Sequence, residues 1–225
     1  PFTQQHGLHL LSYGIHPVAQ PGEALQIKKS RASVWGSIFR SNNLVEPDVG
    51  DDVHLFTLNA GSHVHVALPA DQAIDAVNVL NGFAGPQIAL SANANIWRGE
   101  IDDKHVCVSE AFWDWWKPVQ GRIGMPDRPF ADLDDYVDHV AEMPLLYVKR
   151  DDGPVALEPG TSLKDFFEHG EAVGRTLEGE PTQVEPKSSD VKLHNSCYWY
   201  NARLSRYFTV ENRIHDQQPP KDLLA

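Results

Sequence analysis

A chain of 225 residues with 41% hydrophobic and 22% charged residues carries enough apolar content for one substantial core, which argues against disorder as the default state. Its net charge of −12 argues against a general nucleic-acid or anionic-membrane binder, since both need a basic surface, but leaves room for a small anionic ligand held by local arginines. No run approaches the roughly 20 apolar residues of a membrane span, the first residues lack a signal-peptide pattern, and Cys107 and Cys197 have no CxxC spacing, so a reducing cytoplasm is the expected compartment.

Alternation over residues 7–14 predicts a first strand with His16 at its end, followed by a Pro- and Gly-containing loop to Gly22. Residues 28–40, basic and moderately apolar, are expected to be helical, and residues 46–52 to form an acidic turn. A long strand is expected over residues 53–69. Asp71 supplies an N-cap for a helix in which Ile74, Val77 and Leu80 recur at helical spacing, and Asn81-Gly82 ends it. Further helices are expected over residues 86–92, 109–116 and 133–142, the last capped by Asp132 or a neighbouring acid. Residues 145–149 read as a short strand and residues 162–170 as a short helix. Residues 171–190, polar and rich in turn formers, predict an exposed connection. Residues 196–203 should pair with residues 207–216 across Leu204-Ser-Arg206 as a hairpin, with Pro219-Pro220 stopping the second strand. Internal repeats and low-complexity tracts are absent from the sequence.

Strand periodicity in Phe208-Thr-Val-Glu-Asn-Arg-Ile-His-Asp216 turns Glu211, Arg213 and His215 to one face and Val210 and Ile214 to the other. In Gly61-Ser-His-Val-His-Val66 it sets His63 and His65 against Val64 and Val66. A carboxylate with neutral imidazoles can hold a hard divalent cation, and Arg reads phosphate or carboxylate oxygens bidentately. Each pattern also has a plain reading: the histidines as satisfied surface residues, and Glu211 with Arg213 as a cross-strand ion pair. Gly61 and Ser62 favour the functional one, because small residues allow a ligand or backbone to approach closely. Arg203 on the preceding strand does so too. Two guanidiniums against one carboxylate exceed the needs of an ion pair and suit an anionic ligand. Trp97-Arg98-Gly99 reads equally well as a helix end running into a Gly turn. Trp113, Trp115 and Trp116 fit core or subunit contact better than a ligand platform, and the acids of residues 132–138 fit a solvated helix face. Neither cysteine has a neighbouring His-based pattern, so thiol catalysis is not expected.

Tyr13-Gly-Ile-His-Pro17, Gly61-Ser-His-Val-His65, Leu90-Ser-Ala-Asn93 with Trp97 and Gly99, the series Asp190, His194, Trp199 and Arg203, and Val210-Glu-Asn-Arg213 with Asp216 form an ordered set. Together they resemble the glutamate–cysteine ligase family of the GCS2 type, carboxylate–amine ligases with a glutamine-synthetase-like catalytic sheet. The resemblance implies an α+β fold with a curved, mostly antiparallel sheet and helices on its outer face. It implies that residues 1–225 are the central portion of a single catalytic domain, with the family's N-terminal acidic strand and C-terminal helical part outside it. The implied activity is an ATP-dependent ligase that phosphorylates the γ-carboxylate of glutamate and lets an amine attack the acyl phosphate. His63 and Glu211 are then implied metal ligands in a Mg²⁺–ATP site, and Arg213 the cation that neutralises the transferred phosphoryl group. Arg203 is an implied catalytic neighbour, and His65 and Asn93 implied cofactor contacts. Such roles suit phosphoryl transfer, which depends on positioning and on charge neutralisation.

Two other readings stay open. One is a non-catalytic ligase-like domain that binds a small molecule or pairs with a subunit supplying the acidic strand; the other is a hydrolase or oxygenase with a transition metal on His63, His65 and Glu211. Small-molecule substrates, glutamate and an amine, are the expected partners, without nucleic acid or membrane. Open sheet edges point to a homo-oligomer or a partner chain that completes the sheet.

Overall fold

The computed structural model describes residues 2–26, 34–36, 44–45, 48, 50–115 and 121–222. Its elements are α1 (Phe2–Gln5), β1 (Gly61–Val66), α2 (Ala70–Gly82), α3 (Ala84–Ser91), β2 (Ile96–Trp97), β3 (Glu100–Ile101), α4 (Val108–Trp115) and β4 (Ile123–Gly124). There follow α5 (Leu133–Glu142), β5 (Tyr147–Arg150), β6 (Gly153–Leu157), α6 (Leu163–His169), β7 (Ala172–Arg175), β8 (Pro181–Val184), α7 (Ser188–His194), β9 (Trp199–Tyr200), β10 (Ala202–Leu204) and β11 (Val210–Asp216).

The architecture is mixed, with helices packed against antiparallel sheets. Among the described residues the strands fall into a three-stranded sheet of order β1-β11-β10, a four-stranded sheet β5-β6-β7-β8 and two two-stranded ribbons, instead of one continuous curved sheet. Only the β4–β9 ribbon is parallel. None of the described helices is long and apolar enough to cross a membrane, and both cysteines are buried free thiols.

α2 lies against the three-stranded sheet. Its Ile74 and Val77, at the i, i+3 spacing that lines one helix face, are buried with Val210 of β11 and with Tyr198, Tyr200, Tyr136 and Phe130. Burial of each such aliphatic side chain stabilises the fold by roughly 1.5–3 kcal/mol. The helix ends at Gly82, as the Asn81-Gly82 pair predicts, and Asn81 itself is buried one turn on from Val77. Its amide donates to the Ala202 carbonyl (2.9 Å) and its oxygen accepts from the Ala202 N–H (3.1 Å), fastening β10 to α2. α5 is capped by Asp132, whose side chain accepts from the Asp135 N–H (2.9 Å), as the sequence predicts. α6 is capped by Ser162 and closed by Gly170, whose φ of 78° is a left-handed conformation that glycine adopts without strain.

Four expectations are corrected. Residues 8–13 lie in no sheet, and Leu8, Leu10 and Leu11 are exposed; alternation there has no partner strand, and only Ile15 bridges to Asn59. The long strand over residues 53–69 is a 3-10 helix, Asp52–Thr57, followed by β1. Asp51 and His54 exchange capping hydrogen bonds, and the buried Asp52 carboxylate accepts from the N–H groups of Leu44 (2.7 Å) and Val45 (3.0 Å), which together favour the helical turn. The exposed connection over residues 171–190 contains β7, β8 and the start of α7, with Ala172 and Val184 buried in a second core beside Leu157 and Phe166. Trp97-Arg98-Gly99 is the turn of the β2–β3 hairpin, with φ of 54° at Arg98 and 83° at Gly99, not a helix end. The helix expected over residues 28–40 falls mostly outside the described residues, of which 34–36 are helical, and residues 46, 47 and 49 of the turn expected over 46–52 lie outside them too.

Candidate functional site: a carboxylate between two guanidiniums

Strand register assembles the site. Arg203 of β10 and His65 of β1 both pair with Glu211 of β11, so the central strand presents one carboxylate between a cation and an imidazole. The β1–β11 register then slips between Ser62 and Val64, leaving Arg213 and Ile214 of β11 opposite the single residue His63. Such a bulge re-aims side chains and reverses the alternation beyond it. The expected row of Glu211, Arg213 and His215 is therefore broken after Arg213: His215 Nε2 lies 3.0 Å from the amide of Asn212, on the strand's other face.

Arg203 Nε donates to Glu211 Oε2 at 2.8 Å, and Arg213 Nη1 donates to Oε1 at 2.7 Å. His63 Nδ1 is 3.2 Å from Oε1, and His65 Nε2 is 3.8 Å from it. Arg203 also donates to the Tyr198 carbonyl and lies over the Tyr198 ring at 5.2 Å, so its guanidinium is held on three sides. His65 Nδ1 is fixed 2.9 Å from the Thr209 hydroxyl. Glu211 is the floor of the cluster with its side chain 8% exposed, while His63 at 39% and His65 at 34% form the rim.

Burial opposes ionisation of Glu211. Hydrogen bonds from His63 and Arg203 and the charges of Arg213 and Arg203 outweigh it, and hold the carboxyl well below the usual carboxylate range. The set thus carries two guanidinium charges against one carboxylate. Burial and the like charge of Arg203 both weaken the hold of Arg213 on its proton, offset by Glu211. A surplus cation in a partly desolvated place attracts an anionic oxygen.

Among the described residues, no group of three or more His, Cys, Asp or Glu is arranged to hold a metal ion. Both oxygens of Glu211 accept guanidinium N–H groups. A carboxylate already shared by two guanidiniums does not suit a resident ion held by protein ligands alone.

Arg213 and His63 also line a cavity of about 690 Å³ that extends toward Ser109, Glu110, Trp113, Trp199 and Asp216. Asp216, at the end of β11, is 3% exposed. It accepts from Ser109 Oγ (2.6 Å), Cys107 Sγ (3.3 Å) and the Asn93 N–H (2.7 Å). Gly14 is held here by the same carboxylate: a Cβ at this position would sit 2.0 Å from Asp216 Oδ1. Asn93 makes none of the contacts around Glu211. Its side-chain amide donates to the carbonyls of Ser12 (2.6 Å) and Gln217 (2.9 Å), which clasps the N-terminal segment to the end of β11.

The structure therefore brings His63, His65, Arg203, Glu211 and Arg213 together and sets Asn93 one step away, on the Asp216 side. Sequence reasoning missed Glu110. Burial and the neighbouring Asp216 carboxylate push its carboxyl up to about 7, against the opposing charge of Arg213. Its signal was weak, one of two acids, with Asp114, in the aromatic run of α4, and only the fold shows that Glu110 and Trp113 face a cavity.

The pattern of glutamate-cysteine ligase family 2 matches residues 2–225. A protein of Gloeobacter violaceus named "Putative glutamate--cysteine ligase 2" is 30% identical over 116 residues, 48% of this chain and 27% of that relative. The matched part thus spans about a quarter of the relative's length. With the family pattern running through all three strands of the Glu211 site, the chain belongs to glutamate–cysteine ligase family 2, a family of ligases.

Proposed function

We propose that this site performs an ATP-dependent carboxylate–amine ligation on a glutamine-synthetase-like sheet, forming a γ-glutamyl amide through an acyl phosphate. The observation that supports it most is the Glu211 carboxylate gripped by Arg203 and Arg213 with one positive charge left over, Arg213 also lining a cavity. Phosphoryl transfer asks a protein chiefly to position the reactants and neutralise charge, and this cluster is built for both. Arg213 meets the transferred phosphoryl oxygens. Arg203, held by Tyr198 and Glu211, keeps the floor of the site rigid and adds a second positive charge. His65 borders the nucleotide phosphates. Asn93 acts at a distance, by fixing the end of β11. His63 and Glu211 would hold the Mg²⁺ that comes with the nucleotide; that ion supplies further neutralisation of phosphate charge.

Glutamate supplies the acid and a primary amine the nucleophile, in the cytoplasm. β1 is an edge strand with five of its six residues exposed, and Val64 and Val66 are 48% and 41% exposed. Exposed edges of this kind recruit a strand, so the reading includes a second copy or a partner chain that completes the sheet. The same edge favours the alternative of a non-catalytic subunit that lends its site to a partner.

The test is ADP release from Mg²⁺–ATP in the presence of glutamate and amine, with the protein alone and after mixing with any copurifying chain. Glutamate-dependent ADP release that falls about 10³-fold in Arg213→Ala supports the ligase. Absence of both nucleotide binding and turnover under saturating Mg²⁺ refutes it.

A further inference from the structure

The cavity beside Arg213 has a chemistry that phosphoryl transfer does not use. One wall is aromatic: Phe56 and Trp113 have ring centroids 4.3 Å apart, Trp113 and Trp199 5.5 Å at an interplanar angle of 31°, and Trp199 and Trp35 5.0 Å. All four line the cavity. The same lining carries two carboxylates, Glu110, one turn of α4 before Trp113, and Asp216, together with Arg213. A volume of about 690 Å³ lies in the range that encloses ligands well beyond a few atoms.

We propose that this cavity seats the amine substrate, that its aromatic wall selects an acceptor with a flat apolar body, and that Glu110 is the base that takes the proton from the attacking ammonium. The proposal rests on the ligase reading above and adds the acceptor's class and a second catalytic residue to it. An ammonium group is drawn by the carboxylates and by the negative faces of the tryptophan rings, while its apolar body loses water contact against them.

Three neighbours could compete for the role of base, and each is engaged. Asp216 accepts from Ser109, Cys107 and Asn93. His63 presents Nδ1 to Glu211 and Arg213. His215 lies against Asn212. The Glu110 carboxylate makes no hydrogen bond among the described residues and shares the cavity with Arg213, where the acyl phosphate would form. The charged groups acting on it are Asp216, Arg213 and Asp114. Burial first and Asp216 second raise it to about 7, suited to accepting a proton near neutral pH.

The step balances simply. The substrate arrives as R–NH₃⁺, and Glu110 removes one proton. The freed nitrogen lone pair forms the C–N bond at the acyl carbon, and the bond from that carbon to the phosphate oxygen breaks. The second nitrogen proton leaves the tetrahedral adduct with the departing phosphate as HPO₄²⁻. Glu110 returns its proton to solvent.

Hydroxylamine separates the steps, because it is neutral at pH 7 and traps an acyl phosphate without a base. With Mg²⁺–ATP and glutamate, Glu110→Gln should still give hydroxamate, while amide formation with 2-phenylethylamine falls about 10²-fold or more and its pH inflection near 7 disappears. Trp113→Ala should raise the ratio of KM for 2-phenylethylamine to KM for ethylamine about tenfold. Equal loss of hydroxamate and amide in Glu110→Gln, or loss of neither, overturns the base. A wild-type protein that does not prefer the aromatic amine overturns the acceptor class. If the wild type gives neither hydroxamate nor ADP, the ligase reading falls and the base with it. The cavity is then judged by titrating tryptophan fluorescence with 2-phenylethylamine, where saturable quenching supports the seat and its absence overturns it.

Discussion

Glu211→Gln keeps the shape of the side chain but removes the carboxylate that Arg203 and Arg213 share. Gln can still accept from one guanidinium, but its amide turns N–H groups toward the other. A hydrogen bond to a charged group contributes roughly 1.5–3 kcal/mol, and leaving one side of a buried ion pair uncompensated costs about 3–5 kcal/mol. The two arginine side chains are 13% and 18% exposed, so the lower end applies, about 3 kcal/mol. For a chain of this size that is a fall in Tm of roughly 6–12 °C. Because the folded-state pKa of Glu211 lies below the ordinary glutamate value of 4.5, its contribution is complete above that value and fades as pH drops toward the folded-state pKa. Urea unfolding followed by tryptophan fluorescence, repeated from pH 7 down to pH 3, measures both effects. A difference below about 1 kcal/mol at pH 7, or one that stays constant on acidification, would refute the assignment of Glu211 as the carboxylate that binds three strands together.

Three further outcomes are expected. Gly14→Ala forces a methyl group against Asp216 Oδ1, 2.0 Å away, and should lower stability by about 1–3 kcal/mol by urea unfolding; an unchanged midpoint contradicts the close approach. Asn81→Ala strands the N–H and C=O of Ala202 in a buried place and should cost about 1–3 kcal/mol, read as faster amide exchange at Ala202. Glu110 has a folded-state pKa of about 7 against 4.5, so its contribution to stability is complete below pH 4.5 and lost as pH rises through 7. Glu110→Gln should therefore gain on the wild type above pH 7, by at most about 3 kcal/mol; a gain that appears only on acidification would reverse the assignment.

Where a local signal agreed with its surroundings, it could be read without coordinates. The cap at Asp132, the short helix that Ser162 opens, the apolar spacing of Ile74 and Val77 and the β10–β11 hairpin depend on neighbours within a few residues, and they appear where the sequence placed them. The convergence of His63 and Glu211 was legible for the same reason, since each sits on a strand whose polar face is plain. Errors came from long-range pairing. The strands β7 and β8 are four residues each and hold few large apolar side chains, and β7 reaches its core through Ala172 and through Gly174, where a Cβ would lie 2.6 Å from the Ala156 carbonyl oxygen. Residues 8–13 alternate without a partner. The β-bulge that turned His215 away from Arg213 has no signature in nine residues of sequence, because it is a property of the pair β1 and β11. Glu110 carries no signal of its own, and Trp113 reads as core or subunit contact, because nothing local says which side of α4 meets a cavity.

The central claim is that Arg213 and its partners stabilise a phosphoryl group passing from ATP to a carboxylate. Its most direct test is positional isotope exchange: ATP labelled with ¹⁸O in the β–γ bridge is incubated with the protein, Mg²⁺ and glutamate, with no amine present. The account predicts that the label scrambles into the non-bridging β positions only when glutamate is added, and that Arg213→Ala abolishes the exchange. Scrambling that ignores glutamate, or that persists undiminished in Arg213→Ala, would contradict it.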